Sequence, residues 1–525
     1  MRLLHNARIH TLDNNHPTAS AMVIKNGNIL AVGGDELLNE YELAKREDMG
    51  GRVILPGLID AHIHLQEYAL SLQIVDCDVE TKKEILSRVV ERVQKTPGGE
   101  WVRGHGWNHN TWGGEYPTAL ELDSVSAENP TYLTAKSLHA SWVNSTGMKL
   151  AGINSSTPDP VNGRIQRDAR GDPTGILFEE AVKLVEAVIL EPTPETLAEN
   201  FRKIIADLWR MGLTGIHDFD KPICFQALQL LNECGDLHFR VVKSIPYELL
   251  PQAVALGLRS GFGDDYLRIG PVKFFADGAL GPHTGAMFEP YVDDPQNRGI
   301  LIMDSEQVYE HGCLAAESGL SLAVHAIGDR AIHEVLNGFA RLRTYEREHG
   351  LPPLRHRIEH VQTIHPSDAG RLAEMDIIAS MQPAHAPSDM LMADLLLGDR
   401  AKFSYAWKTQ LLHGAHLAFG SDAPVESPNP FRGLYAAITR CRSDGSPGPE
   451  GWFPEQRLTV GEALQGFTFG PAFCAGMENR LGRLSGGFLA DLIVVETDPF
   501  TCEPADIYRI QPTATMVGGE WVWQL

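Results

Sequence analysis

Six side chains in this sequence have the types and spacing to hold a metal ion. His62 and His64 stand two apart in LIDAHIHL at 58–65. In an extended strand, residues i and i+2 face the same way, so two imidazoles point together. His325 in LSLAVHAIG, His360 in RHRIEHVQ and Asp422 in HLAFGSDAP each stand near the end of a short apolar run, and Lys273 does so in IGPVKFF. Imidazole combined with carboxylate suits zinc or a similar first-row divalent ion. A single strand histidine is more often a hydrogen-bonded core residue. Four histidines, an aspartate and a lysine at the same end of five runs are hard to obtain from packing alone, because charged Lys and Asp are rarely buried without a partner.

The elements that must position these residues form a pattern. Three further runs, LTGIHDF (213–219), HFRVVKSIP (238–246) and IIASMQPA (377–384), bring the strand candidates to eight. Helical stretches fall between them, among them SEQVYEHGCLAAESG and PSDAGRLAEM, the second opening on a Pro and a capping Ser. Strands alternating with helices imply a parallel sheet, and eight such units fit a (β/α)8 TIM barrel, whose active sites lie at the C-terminal strand ends. An open doubly wound sheet also fits the pattern. The interval 66–212 is too long for one βα connection and must hold an insertion with its own structure, at about 66–195. Within it VETKKEILSRVVERVQ reads as a helix, WVRGHGW and TYLTAKSLH as strands.

The two ends of the chain are alike. AMVIKNGNILAVGG sets Asn26-Gly27 between apolar runs, and ATMVGGEWVW sets Gly518-Gly519 between β-rich runs. Neither end has enough strands for a stable sheet of its own. The expected organisation is therefore one composite β-sandwich from 1–56 plus 480–525, with a barrel over 57–479. Composition narrows the function classes. The 525 residues carry 45 Lys+Arg against 68 Asp+Glu, a net charge of −23 that repels nucleic-acid backbones and acidic lipid surfaces. Seven scattered Cys, no apolar leader and no membrane-length run point to a cytoplasmic protein. The absence of G-x-S-x-G and of a phosphate-binding G-x-x-x-x-G-K-[ST] disfavours a serine hydrolase and a P-loop enzyme.

PGLIDAHIHL, VKFFADGALG, HAIGDRAI, RIEHVQ and AFGSDAPV resemble the signature segments of the amidohydrolase superfamily of metal-dependent hydrolases. HGWNHNTWGGEYPTALELD, HASWVNSTGMKLAGI and GDPTGILFEEA resemble the long branch that includes N-substituted formamide deformylases. The resemblance covers nearly the whole chain in the right order. It implies a barrel with a mononuclear or binuclear centre and cleavage of a non-peptide carbon–nitrogen bond in a small amide. Carried over, His62, His64 and Asp422 hold one ion, and His325 and His360 the second. Lys273 bridges them as an N-carboxylated lysine, since a carbamate supplies anionic oxygens where an ammonium would repel the cations. The alternative for Lys273 is a plain lysine paired with Asp277 in a one-metal site. Asp422 also acts as general acid/base towards the metal-activated water. The fallback activities are cyclic-amide or ester hydrolysis on the same site, or a catalytically silent regulatory relative. A homodimer is a family-level expectation.

His139 either polarises the carbonyl or caps a local turn. Trp107, Asp277, His283 and Gln382 are candidate substrate contacts. An Arg usually stands where His283 does in this branch, which weakens any transfer of anionic-substrate recognition.

Overall fold

The computed structural model describes residues 1–136, 140–161, 163–189 and 191–525. His139 therefore lies outside the described residues. Two compact units emerge: Met1–Tyr68 with Pro194–Leu525, and Ala69–Thr193.

The first unit is built on an eight-stranded parallel sheet: β1 (Leu58–Ile63), β2 (Leu213–Asp218), β3 (Arg240–Pro246), β4 (Leu267–Phe275), β5 (Leu322–Ala326), β6 (Arg357–His360), β7 (Ile378–Met381) and β8 (Leu417–Phe419). The strands pair in chain order from β1 to β8. All eight expected runs are strands. The backbone N–H of Asp422 donates to His62 O at 2.7 Å, and that of His64 to Ala423 O at 3.0 Å, so the chain beyond β8 closes onto the end of β1. The fold is a TIM barrel with additional sheets.

Local sequence explains the helices that cover it. Pro194–Arg210 buries Leu197, Phe201, Ile204, Ile205 and Leu208, one apolar stripe at helical spacing. Ser305–Glu317 opens on a capping box between Asp304 and Gln307, which satisfies two end amides reciprocally. The segment PSDAGRLAEM departs from the expected single helix. It forms a 3-10 turn, Pro366–Asp368, and a separate helix, Arg371–Glu374, parted at Gly370. The cap is the His365 ring, which accepts from Ser367 N, and the serine is not the capping residue.

Against the expectation that neither end has strands enough for a sheet, the N-terminal end builds one further sheet by itself, four strands paired through the Asn26-Gly27 hairpin and a parallel neighbour, and both ends contribute to a second. One has the order Asn28–Gly33, Ala21–Lys25, Arg2–His5, Lys45–Asp48. The other runs Glu520–Gln524, Pro512–Val517, Leu492–Val495, Val53–Pro56, Arg8–His10, Thr18–Ala19. Leu4, Met22, Ile24, Ile54, Leu492, Val494 and Met516 share one core between them. Asn26 and Gly27, at φ +51° and +79°, make the two-residue hairpin turn that Asn-Gly favours. Gly518 and Gly519 repeat it between Val517 and Glu520. The β3 residue Arg240 forks onto Asp491, tying the barrel to the strand Leu492–Val495.

The second unit holds a six-stranded mixed sheet, ordered Gly163–Arg167, Pro173–Glu179, Ala140–Val143, Thr131–Ala135, Val102–Trp107, Val75–Asp76. The expected helix is Lys82–Val93, capped by Thr81, whose side chain accepts from Glu84 N. Among the described residues no helix is long and apolar enough to cross a membrane.

Candidate metal centre

The C-terminal ends of β1, β5, β6 and β8 bring the expected ligands together. Donor atoms of His62, His360 and Asp422, all buried, lie within 4.8 Å of one another. His62 Nε2 and His64 Nε2 are each 3.5 Å from Asp422 Oδ1. The His325 ring lies 4.5 Å from that of His360, centroid to centroid. Lys273 Nζ, near the end of β4, faces the rings of Phe219 and Phe275 at 4.6 and 5.0 Å, and Phe219 stacks on His62 at 4.3 Å.

The backbone is bent to achieve this. Strict alternation would send Glu359 and His360 to opposite faces of β6. His360 and Val361 take φ of +73° and +44°, and Asp422 takes +59°. Such left-handed non-glycine residues cost energy and gather at functional sites. At Gly420 the chain passes so close to β1 that a Cβ would lie 2.4 Å from His62 N and 2.7 Å from Asp60 Oδ1. Only glycine allows that approach.

Each histidine is held at one ring nitrogen and left open at the other. His62 Nδ1 meets Glu359 Oε2 at 2.6 Å, His64 Nδ1 meets Asp220 Oδ1 at 3.1 Å, and His360 Nδ1 meets Gln382 Oε1 at 2.8 Å. His325 reverses the arrangement: its Nε2 meets the Gly278 carbonyl at 2.9 Å. A carboxylate or carbonyl oxygen accepts the N–H, so the other nitrogen keeps its lone pair. The open donors are Nε2 of His62, His64 and His360 and Nδ1 of His325. This is the tautomer-fixing that metal-binding histidines require.

Electrostatics point the same way. Burial and the nearby Lys273 hold the His62 imidazole well below its usual range. Burial, with Lys273, pushes His325 down to about 4, and burial with His325 lowers His360 well below its ordinary value. Neutral imidazole is the form that ligates. His64 is raised, because its hydrogen bond to Asp220 and the Asp220 and Asp422 charges outweigh burial. Burial pushes Lys273 down to about 8, against the opposing pull of Glu359 and Asp422. The donor set, the three imidazoles of His62, His325 and His360 held neutral, and the fixed tautomers fit a divalent ion.

A buried charge network supports the ring of ligands. Arg357, inside the barrel, pairs with Glu359 at 2.5 Å and donates to His217 Nδ1 and Ala61 O, each at 2.9 Å. Asp60 accepts from His62 N and Ser421 N at 3.0 Å, and burial pushes it up to about 7. Asp218, Asp220 and Cys224 form a second cluster of potential donors, but a cation already sits there. Lys243 Nζ lies 2.9 Å from Asp218 Oδ2 and 2.5 Å from Asp220 O.

The remaining sequence candidates sit as follows. Asp277 accepts from the backbone N–H of Ala286 and Gly328 at 2.8 Å and Ile327 at 3.0 Å, stapling the loop after β4. His325 Nε2 is 3.6 Å from Asp277 Oδ1, and the carboxylate is pushed up to about 7 by burial. His283 is partly exposed in that loop, 3.0 Å from Asp293. Trp107 is 1 % exposed in the core of the second unit, its indole N–H donating to Leu133 O at 2.8 Å. Gln382 clamps His360, as above.

Sequence reasoning missed Glu359, Asp220, Arg357, Lys243 and His385. For the first and third a signal exists: Arg-x-Glu in an otherwise apolar strand demands buried partners. His385 opens the helix His385–Leu397, and its Nε2 is buried, 3.9 Å from Asp422 Oδ2, with no hydrogen-bond partner among the described residues.

The amidohydrolase family profile matches residues 46–523. The LONG AFTER FAR-RED 3 protein of Arabidopsis thaliana is 32 % identical over 99 % of this chain and 91 % of its own length. YtcJ of Bacillus subtilis, named an amidohydrolase, is 32 % identical over 99 % of both chains. The N-substituted formamide deformylase of Arthrobacter pascens is 26 % identical over 98 % of this chain and 97 % of its own. A crystal structure of an uncharacterized metal-dependent hydrolase from Pyrococcus furiosus superposes with a TM-score of 0.79 at 28 % identity, covering 95 % of this chain and all of the other. The strand-end ligand set and these likenesses agree, and the chain belongs to the amidohydrolase family.

Proposed function

We propose that the protein is a metal-dependent hydrolase of a small non-peptide amide, with zinc as its metal and Asp422 as general acid/base. The observation that carries the reading is the set of four histidines, each fixed at one nitrogen and open at the other, around one carboxylate. His62, His64 and Asp422 would hold one ion, His325 and His360 a second. Lys273, as a carbamate, would supply anionic oxygens to them. Its burial favours the free amine that carbon dioxide must meet, and its nitrogen faces aromatic rings. When bound, a divalent ion supplies a Lewis acid that acidifies water and polarises an acyl oxygen.

The chain's own residues do the rest. Asp422 Oδ1 stands 3.5 Å from two ligand nitrogens, so its carboxylate lies beside the place where water would be activated. It would take the proton from that water and pass it to the departing nitrogen, so that the nitrogen leaves as the amine and the acyl group as the acid. The deformylase of Arthrobacter pascens supports an N-substituted amide as substrate class. Seven cysteines, none in a disulfide, support a cytoplasmic location. A homodimer remains the expected assembly, checked by light scattering.

The test is elemental analysis together with a turnover panel of N-substituted formamides, other acyclic amides, cyclic amides and esters, each with and without chelator. One to two equivalents of zinc and chelator-sensitive amide turnover are expected. Metal-free protein with chelator-resistant activity would overturn the mechanism. Preference for lactams or esters would move the substrate class, and metal binding without turnover would favour a silent relative.

A further inference from the structure

Phe275 ends β4 with its ring in the open. Residues i and i+2 of a strand face the same way, so Phe275 follows Lys273 on one face. Phe274, between them, is buried on the other face, its ring beside those of Tyr247 and His311. The Phe275 ring lies 5.0 Å from Lys273 Nζ and 5.3 Å from the His325 ring, and the parallel register sets Phe275 opposite His325. Lys273 is 4 % exposed, whereas Phe275 is 45 % exposed. An accessible aromatic ring, held on a strand beside buried polar groups that converge on one point, is the usual lining of a small-molecule site.

Closure of the barrel decides which part of a substrate meets this ring. The strands pair in chain order and the chain beyond β8 closes onto β1, so β4 and β8 stand across the barrel from each other. Asp422 follows β8, and it and Phe275 therefore approach the centre from opposite sides. To protonate the departing nitrogen, Asp422 must have that nitrogen on its own side. In a planar amide the acyl substituent lies across the carbonyl carbon from the nitrogen, and so towards β4.

We propose that the exposed face of Phe275 is the apolar wall of the acyl subsite, and that the substrate's acyl group carries an alkyl or aryl substituent for it to meet. Phe275 sets specificity by contact and takes no part in proton transfer or metal binding. The inference rests on the hydrolase reading above and names the acyl side of its substrate. Fully burying a methylene strengthens binding about fourfold, so contact along one ring face is worth about twofold per carbon.

The experiment uses the zinc-loaded protein and its Phe275→Ala and Phe275→Leu variants. Aliphatic hydroxamates serve as metal-directed probes, titrated by calorimetry, with zinc measured on the same samples. In one series the acyl chain grows from formohydroxamate to butyrohydroxamate. In the other the nitrogen of acetohydroxamate carries methyl, ethyl or propyl. Three added acyl carbons should tighten binding to the parent about eightfold. Phe275→Ala should keep its zinc, bind formohydroxamate as the parent does, and vary by no more than about twofold along the acyl series. Phe275→Leu, which keeps an apolar surface, should retain most of the acyl dependence, and the nitrogen series should be alike in all three proteins. A flat acyl series in the parent, an acyl series that Phe275→Ala leaves unchanged, a nitrogen series that it alters as much, a leucine variant as flat as alanine, or zinc loss in Phe275→Ala each overturns the proposal. Should the alanine variant not fold by circular dichroism, Phe275→Thr takes its place. An acyl dependence that vanishes in the alanine variant of a protein that cleaves no amide upholds the wall and counts against the amide reading alone.

Discussion

Gln382 offers the cleanest probe of how the ligands are held. Its Oε1 accepts from His360 Nδ1 at 2.8 Å, and its side chain is 2 % exposed. Its Nε2 is buried with no partner among the described residues, so Gln382→Leu removes one side-chain hydrogen bond. The His360 N–H then loses its acceptor, at about 1–3 kcal/mol. The ring is also free to turn or to move its hydrogen to Nε2, the nitrogen left open towards the proposed metal site. Losing such an outer partner typically weakens metal binding by about 10–100-fold, or roughly 1.4–2.8 kcal/mol. Gln382→Glu keeps an acceptor at the same place and should bind zinc at least as well as the leucine variant by that margin. Glu359 on His62 shows that a carboxylate is tolerated beside a ligand in this centre. The assay is zinc titration of apo-protein in competition with a chromophoric chelator. A leucine variant within twofold of the parent, or a glutamate variant no better than leucine, refutes the idea that Gln382 orients His360.

Asp422→Asn keeps one oxygen and the shape but cannot take a proton. It should retain most of its zinc, measured on the same sample, and lose roughly 10²–10⁴-fold in turnover; a fully loaded variant within a few-fold of the parent would assign the proton to another group. Lys273→Ala should lose the second equivalent of metal by elemental analysis, and a short carboxylic acid should restore part of it. Burial holds His325 at about 4, below its ordinary 6.5, so its contribution to stability is present above pH 6.5 and is lost as pH falls towards 4. The stability of apo-protein relative to His325→Gln, read from urea midpoints, should therefore shrink by about 2 kcal/mol between pH 7 and pH 5. Asp60 and Asp277, pushed up to about 7, act with the opposite sign, but both proteins carry them.

The barrel was legible because each of its strands is buried on both faces and reads as an apolar run bounded by breakers. The hairpins at Asn26-Gly27 and Gly518-Gly519 were legible because a two-residue turn needs positive φ at both positions. The break between Pro366–Asp368 and Arg371–Glu374 was not, since Pro and Ser at 366–367 are a sound helix start and the residues between the two turns carry no strong breaker, Gly370 itself keeping a helical backbone. The inserted unit showed its helix and two of its strands. Its sheet order mixes parallel and antiparallel neighbours drawn from a hundred residues of chain, and no local pattern encodes that.

At the centre the candidate ligands stood out as residue types at strand ends and the residues that hold them did not, for a physical reason. A ligand must sit at a strand end, so its position along the chain carries information. A support need only reach a ring nitrogen, and it can come from anywhere: Glu359 from β6 to His62, Asp220 from beyond β2 to His64, a backbone carbonyl at Gly278 to His325. The charges then demand partners of their own. Glu359 would be costly in the barrel interior without Arg357, and Arg357 in turn needs His217 and the Ala61 carbonyl to use its donors. Since guanidinium only donates, His217 must present a bare Nδ1 and stay neutral, as its strongly lowered pKa, set by burial and Arg357, requires. The orientation of His62 is thus fixed through a chain of buried groups that ends on a strand with no ligand of its own. A change at His217 should reach the metal without touching it.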